Sequence, residues 1–253
     1  QVRDAVHPVT NSLQPFVTIA VCTRDRPDDL RLCLDALMRL EYTNREIIVV
    51  DNAPATDATQ RLVTSLYPEV RYIREPRPGL DWARNRAMIE SRGEIVAYTD
   101  DDVIVDPIWL TAIVDAFADP GVMAVTGLVA PYELETEAQQ LFERYGGFGR
   151  GFERRWFGQT ATNDPHRVEF LGAGQFGTGA NMAYRRELFD TIGMFDPALD
   201  VGTVTNGGGD LEMFFRVIKH GHILLYEPSA LVFHRHRREY ERLATQLTNN
   251  GIG

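Results

Sequence analysis

The sequence predicts a single α/β domain built on a mostly parallel, mixed sheet with helices on its faces. Three observations lead there. Apolar, β-branched runs such as Phe16 to Cys22, Glu46 to Val50 and Glu94 to Thr99 recur along the chain. Segments whose apolar residues return at helical spacing lie between them, joined by short connections. Strand–helix alternation of this kind makes right-handed βαβ units and brings the strands parallel. The 253 residues suffice for one large α/β domain.

Residues 1–15 are polar and aperiodic and are expected as a tail or linker; 247–253 are expected as a second tail, leaving 16–246 as the domain. After the first strand, Pro27 opens a helix at its first position, with Asp28 and Asp29 in the positive first turn. Leu30, Cys33, Leu34 and Leu37 give it an i, i+3, i+4, i+7 stripe. The second strand ends at Asp51. Thr56 caps a helix to about Leu66, and Val70 to Ile73 is a third strand. Trp82 to Ser91 is helical, Glu94 to Thr99 is the fourth strand, Pro107 to Phe117 is a helix, and Met123 to Val129 is a strand. The pattern loosens from Glu133 to Gly179. A helix over about Glu135 to Tyr145 leads into the Gly- and aromatic-rich run Gly146 to Phe152, and loop-rich segments of this type carry binding surfaces. A later helix begins near Asp210 with Leu211, Phe214, Phe215 and Ile218 as its buried stripe. Strands at His222 to Tyr226 and Leu231 to His236 follow.

Composition narrows the function. The formal net charge is −10 with no block of basic residues, which argues against nucleic-acid binding. No apolar run approaches the ~20 residues needed to span a bilayer, and the N-terminus lacks a signal-peptide pattern. Cys22 and Cys33 both fall at apolar positions and read as small buried hydrophobes rather than a disulfide, so the cytoplasm is the expected compartment. The Arg150 to Arg155 segment, with Phe152, Trp156 and Phe157, is read as an acceptor rim or as a peripheral membrane contact.

The chemistry concentrates at strand ends. Asp100, Asp101 and Asp102 follow the fourth strand directly. Three like charges in a row repel, and a divalent cation on hard oxygen ligands reverses that cost; Mg²⁺ takes one or two carboxylates plus substrate phosphates. If the segment stays extended, Asp100 and Asp102 share a face while Asp101 points away. Thr23 and Arg24 follow the first strand and Asp51 the second, so polar residues at three strand ends converge on the crevice where open parallel sheets bind ligands. A buried Asp51 after Ile47-Ile48-Val49-Val50 needs a donor, which a uracil or guanine edge supplies.

Taken together, Val21-Cys22-Thr23-Arg24-Asp25-Arg26, Val49-Val50-Asp51-Asn52-Ala53, Pro78-Gly79-Leu80-Asp81-Trp82-Ala83-Arg84-Asn85, Thr99-Asp100-Asp101-Asp102, Gly177 to Arg186 and Gly208-Gly209-Asp210-Leu211-Glu212 resemble the family 2 inverting glycosyltransferases, in order and spacing from Phe16 to His236. The resemblance implies a GT-A fold, a Mn²⁺ or Mg²⁺ cofactor, a nucleotide-sugar donor (a UDP-sugar first) and a hydroxyl acceptor that is a glycan, a lipid-linked molecule or a small molecule. It divides the domain into a nucleotide-binding half, 16–130, and an acceptor and catalytic half, 131–246. Residue by residue, it implies that Asp51, with Thr23 and Arg24, holds the base and that Arg84 approaches base and diphosphate. It makes Asp100 a ribose or metal contact and Asp102 the main metal ligand, with Asp101 in the same donor-binding loop. Asn181 is implied to shape the sugar pocket.

Asp210 is the implied general base, because an inverting transfer needs one carboxylate to take the acceptor proton as its oxygen attacks. Glu212 projects about 200° away around the helix and does not share that direction. The family usually reads Glu-Asp where this chain has Gly209-Asp210, which puts acceptor placement in doubt. His234, ahead of His236, is the candidate third metal ligand; the two share a face of a strand-like run beside Arg235, Arg237 and Arg238. Two other readings stand beside transfer: a weakly active or non-catalytic nucleotide-sugar-binding module, motivated by Gly209, and a sugar nucleotidyltransferase. The latter wants a glycine-rich loop after the first strand, where Thr23-Arg24-Asp25-Arg26-Pro27 has none.

Overall fold

The computed structural model describes residues 14–158, 173–200, 203 and 205–252, so most of the expected N-terminal tail lies outside the described residues. Strands β1 (Val17–Thr23), β2 (Arg45–Asn52), β3 (Arg71–Glu75) and β4 (Ile95–Asp100) alternate with helices α1 (Pro27–Leu37), α2 (Ala58–Leu66) and α3 (Leu80–Glu90). They run parallel in the order β3-β2-β1-β4. Then follow β5 (Val103–Val105), α4 (Trp109–Ala116), β6 (Val122–Pro131), α5 (Glu137–Tyr145), β7 (Arg155–Phe157), β8 (Asn181–Arg185), α6 (Leu188–Ile192), α7 (Gly209–Lys219), β9 (Ile223–His234) and α8 (Tyr240–Ile252). The sheet continues β4-β8-β6-β9-β5, with β7 on the side of β9, and antiparallel β8 makes it mixed.

Strand alternation splits the core into two layers. Val17, Ile19, Val21, Ile47, Val49, Ile95 and Ala97 pack under α1, α2 and α4. Ala20, Cys22, Ile48, Val50, Val96 and Tyr98 pack under α3, α6 and α7 on the other face. Both cysteines are buried and free, and burial pushes the Cys22 thiol up to about 12. No helix among the described residues is long and apolar enough to cross a membrane.

Several elements differ from expectation. The two expected strands after α7 are one, β9, which stays beside β6 through a register shift at Gly127/Leu128. Pro228 carries no N–H for the ladder, and at Gly127 a Cβ would lie 2.2 Å from the Ala230 carbonyl oxygen, so the shift needs glycine there. Helix α7 buries Met213, Phe214 and Val217, whereas Phe215 is exposed: seating Gly209 against α3 rotates the helix away from the expected stripe. Helix α8 runs through 247–252, expected as tail, because Leu243 and Leu247, one turn apart, pack with Ala138 and Phe142 of α5.

Candidate active site

Four parallel strands deliver Thr23, Asn52, Glu75 and Asp100 to one edge of the sheet. A cleft of about 980 Å³ opens there, lined by Thr23, Arg24, Arg26, Asn52, all three aspartates, His234 and Arg237. A second cavity of about 310 Å³ adjoins it and holds Asp81, Arg84 and Asp210. Leu80, Phe148, Asp200 and Asn206 line both.

Strand pairing stops at Asp100, and Asp101 and Asp102 form a turn, so the expected alternation ends one residue too early to separate them. Asp101 does not point away. Its Oδ2 accepts from Thr23 Oγ1 at 2.7 Å and its Oδ1 from Arg26 Nη1 at 2.7 Å, while the same Nη1 lies 3.0 Å from Asp102 Oδ2. The other Asp102 oxygen faces His234 Nε2 at 3.3 Å, and Arg237 Nη1 stands 3.6 Å from Oδ2. Burial and the like charge of Asp102 raise Asp100. Burial pushes Asp101 up to about 6 against the pull of Arg26. Burial opposes ionisation of Asp102 too, but His234, Arg26 and Arg237 together hold it well below the usual carboxylate range.

Among the described residues, no three His, Cys, Asp or Glu side chains already converge as a closed metal cage. The donors nevertheless suit a divalent ion. A buried carboxylate oxygen and an imidazole nitrogen face each other across 3.3 Å, with Asp100 in the same wall. Hard oxygens plus one imidazole, with coordination left open to phosphate, fit Mn²⁺ better than Mg²⁺.

The second cavity is organised around Arg84. Its guanidinium is buried, paired with Asp81 Oδ1 at 2.9 Å and 5.5 Å from the Phe195 ring centroid. Burial opposes its charge, but Asp210, Asp81 and Asp100 raise its pKa further. Asp210 Oδ2 accepts the Gly179 amide at 2.7 Å, and a Cβ on Gly179 would strike Arg84 Nη2 at 2.3 Å. Asp81 Oδ2 is buried without a partner, and burial pushes that carboxyl up to about 6. A Cβ on Gly209 would lie 1.9 Å from that oxygen. Asp81 thus fills the volume a side chain at 209 would take. Glu212 turns along α7 to Arg216, its Oε1 accepting from Nε at 2.9 Å.

Other expected site residues sit elsewhere. Asp51 is fully buried and is not among the residues lining the cleft; Tyr72 donates to its Oδ2 at 2.9 Å, and Oδ1 has no partner. Alternation along β2 turns Asn52 to the cleft instead, where its Oδ1 accepts the Gly79 amide at 2.9 Å. Asn181 lines neither cavity. Its Oδ1 accepts from Trp109 Nε1 at 2.9 Å, and its Nδ2 donates to the Leu128 and Ala230 carbonyls, so it locks α4, β6 and β9. Arg84 lines the smaller cavity, not the larger cleft. Of the three arginines around the histidines, Arg237 lines the cleft, while Arg235 pairs with Asp29 and Arg238 with Glu133 and Glu135. Phe157 is core; Phe152 and Trp156 are exposed.

Sequence reasoning did not assign roles to Arg26 and Asp81. Arg26 had only its place after Thr23-Arg24 to mark it. Asp81 precedes Arg84 by three positions on a helix, a spacing that pairs opposite charges.

A family model described as glycosyl transferase family 2 matches residues 18–193. The chain is 28% identical, over 82% of its length, to the O-antigen biosynthesis protein RfbC of Myxococcus xanthus, spanning 16% of that protein. It is 26% identical, over 88% of its length, to the pre-mycofactocin glycosyltransferase of Mycobacterium tuberculosis, spanning 43% of it. The chain therefore spans less than half of either relative. In structure it is similar to a mannosyltransferase from Pyrobaculum calidifontis, solved in complex with GDP-Man and Mn²⁺: TM-score 0.62, 20% identity, covering 91% of this chain and 60% of that one. That likeness identifies the mixed sheet and its flanking helices as a GT-A fold.

Proposed function

Since the chain belongs to glycosyl transferase family 2, we propose that it transfers a sugar from a nucleoside diphosphate to a hydroxyl acceptor, with inversion and with a divalent cation. One observation carries this reading: an acidic, histidine-bearing cleft adjoins, through the shared walls of Leu80, Phe148, Asp200 and Asn206, a smaller cavity that holds Asp210 and Arg84. The larger cleft takes the nucleotide and diphosphate, with Arg24, Arg26 and Arg237 near the phosphates. Asp102 and His234, with Asp100, would hold Mn²⁺, which supplies positive charge to the departing diphosphate. The smaller cavity takes the acceptor. Asp210, held by the Gly179 amide, accepts the proton of the attacking hydroxyl as its oxygen reaches the anomeric carbon on the face opposite the diphosphate. Arg84, a fixed buried cation in the smaller cavity that feels the charge of both Asp210 and Asp100, suits charge that grows during transfer.

A UDP-sugar is the first donor to test. A GDP-sugar is the second, on the strength of the Pyrobaculum enzyme crystallised with GDP-Man. The non-catalytic reading rests on Gly209; that the Asp81 carboxyl fills the space a side chain at 209 would take supports transfer over it. The deciding experiment is release of nucleoside diphosphate from a panel of UDP- and GDP-sugars with Mn²⁺. Release that a chelator stops is expected; nucleotide-sugar binding with no turnover across the panel, with hydroxyl acceptors added, would leave a binding module.

A further inference from the structure

From the wall of the larger cleft, a chain of polar contacts runs toward α5. His234 Nε2 is 3.3 Å from Asp102 Oδ1; His234 Nδ1 is 2.9 Å from His236 Nδ1; and His236 Nε2 is 2.8 Å from Glu143 Oε1. Its direction follows from donor and acceptor chemistry. An ionised carboxylate only accepts, so His236 turns its Nε2–H to Glu143. On a neutral His236 that leaves a bare Nδ1, which accepts from an Nδ1–H on His234. A neutral His234 of this tautomer then aims its free Nε2 lone pair at the Asp102 carboxylate. Two acceptors facing each other at 3.3 Å attract a positive centre, which is a proton on Nε2 or, in its place, a divalent cation.

We propose that Glu143 and His236 are positioning residues that fix His234 as the Nδ1–H tautomer, so that Nε2 is offered with Asp102 as a divalent-cation ligand. The inference deepens the metal-dependent part of the proposed function and rests on it. The local packing supports a built arrangement. Glu143 lies in α5, whose first turn is closed by a capping box between Thr136 and Gln139. Its carboxylate lies over Gly147, where a Cβ would come within 2.5 Å of Oε1. Phe148 stands edge-on to His234 with centroids 5.0 Å apart, and Phe142 to His236 at 4.7 Å, so both imidazole planes are held. Losing an outer partner that sets the tautomer of a ligating histidine typically costs about 10–100-fold in metal affinity.

The test is Mn²⁺ binding to the whole chain, followed by the electron paramagnetic resonance of free Mn²⁺, for the wild type, Glu143→Ala, His236→Ala and Glu143→Gln. The alanine variants should bind about 10–100-fold more weakly. Glu143→Gln keeps an accepting oxygen and should stay close to the wild type. Unchanged affinity in both alanine variants overturns the proposal. Nitrogen-15 NMR of the histidine side chains, without metal, reads the relay directly and needs no variant: His236 should carry its proton on Nε2, and an Nδ1–H form of His236 overturns the relay. A wild type that takes up no Mn²⁺ defeats the metal-dependent reading of function, whereas the NMR result decides the relay on its own.

Discussion

Gly209 and Asp81 share one volume: the carboxylate of Asp81, from α3, occupies the space where residue 209 of α7 would place a side chain. The backbone at 209 has no positive φ, so glycine is required there for space and not for conformation. Gly209→Ala should therefore destabilise the fold by about 1–3 kcal/mol, the usual cost of overpacking. In an Asp81→Ala background the same change should cost much less. Urea unfolding of the two single variants and the double variant measures the coupling; additive effects would show that the two residues do not compete for space.

Asp81 also leaves a signature in pH. Its carboxyl titrates at about 6 against an ordinary 3.8, chiefly because burial disfavours the charge. The folded state therefore keeps a proton that the unfolded state has lost between those values, and stability falls as pH rises from about 4 to about 6. Asp101 contributes with the same sign. Asp81→Asn should flatten the slope over this range, by on the order of 1–3 kcal/mol in total. Denaturant midpoints at several pH values would check it; an unchanged slope would mean that Asp81 is ionised as readily when folded as when unfolded.

Much of this was legible in the sequence because it is local. Continuous apolar, β-branched runs between helical stripes mark β1, β2 and β4 with their helices, and the acidic triplet marks the strand end that forms the cleft. What escaped depends on distant packing. The three-residue β5 is too short to show a period, and α8 exists because α5 offers it an apolar face. Asp51 and Asn52 differ by one step of strand alternation, and only the fold says which of them meets the cleft. Arg26 reaches Asp101 and Asp102 across 75 and 76 residues, a relation that no local pattern carries.

Arg26 stands in for part of the charge that a cation would bring. One guanidinium nitrogen spans Asp101 and Asp102, and their mutual repulsion grows if it is removed. Arg26→Gln should lower the melting temperature without metal, and Mn²⁺ should raise it by more in the variant than in the wild type. Thermal melts with Mn²⁺ and with chelator give the comparison. An equal Mn²⁺ shift in both proteins would show that Arg26 and the cation do not answer the same charge.

Asp102→Asn tests the donor side of the site. It keeps the shape while removing the charge that faces His234, Arg26 and Arg237. Calorimetry of UDP and GDP with Mn²⁺ should show most of the metal-dependent affinity gone, while the small metal-independent part persists. Asp101→Asn should weaken the Thr23–Arg26 loop first, since that carboxylate is spent on Thr23 and Arg26. If Asp101→Asn removes the metal dependence and Asp102→Asn does not, the ligand assignment is reversed.

Asp210→Asn tests the chemistry. The base acts only when the acceptor hydroxyl gives up its proton, so donor affinity should be nearly unchanged while turnover falls by roughly 10²–10⁴-fold. The amide still offers an oxygen to the Gly179 N–H, so the loop geometry should persist and a loss would report chemistry. Glu212→Gln provides the contrast. Glu212 is engaged by Arg216 along α7, and its loss should cost a little stability and little turnover. The product should carry the inverted anomeric configuration, read by NMR of the isolated glycoside. A retained configuration would overturn Asp210 as the base of a single displacement and point instead to a nucleophilic carboxylate with a covalent intermediate.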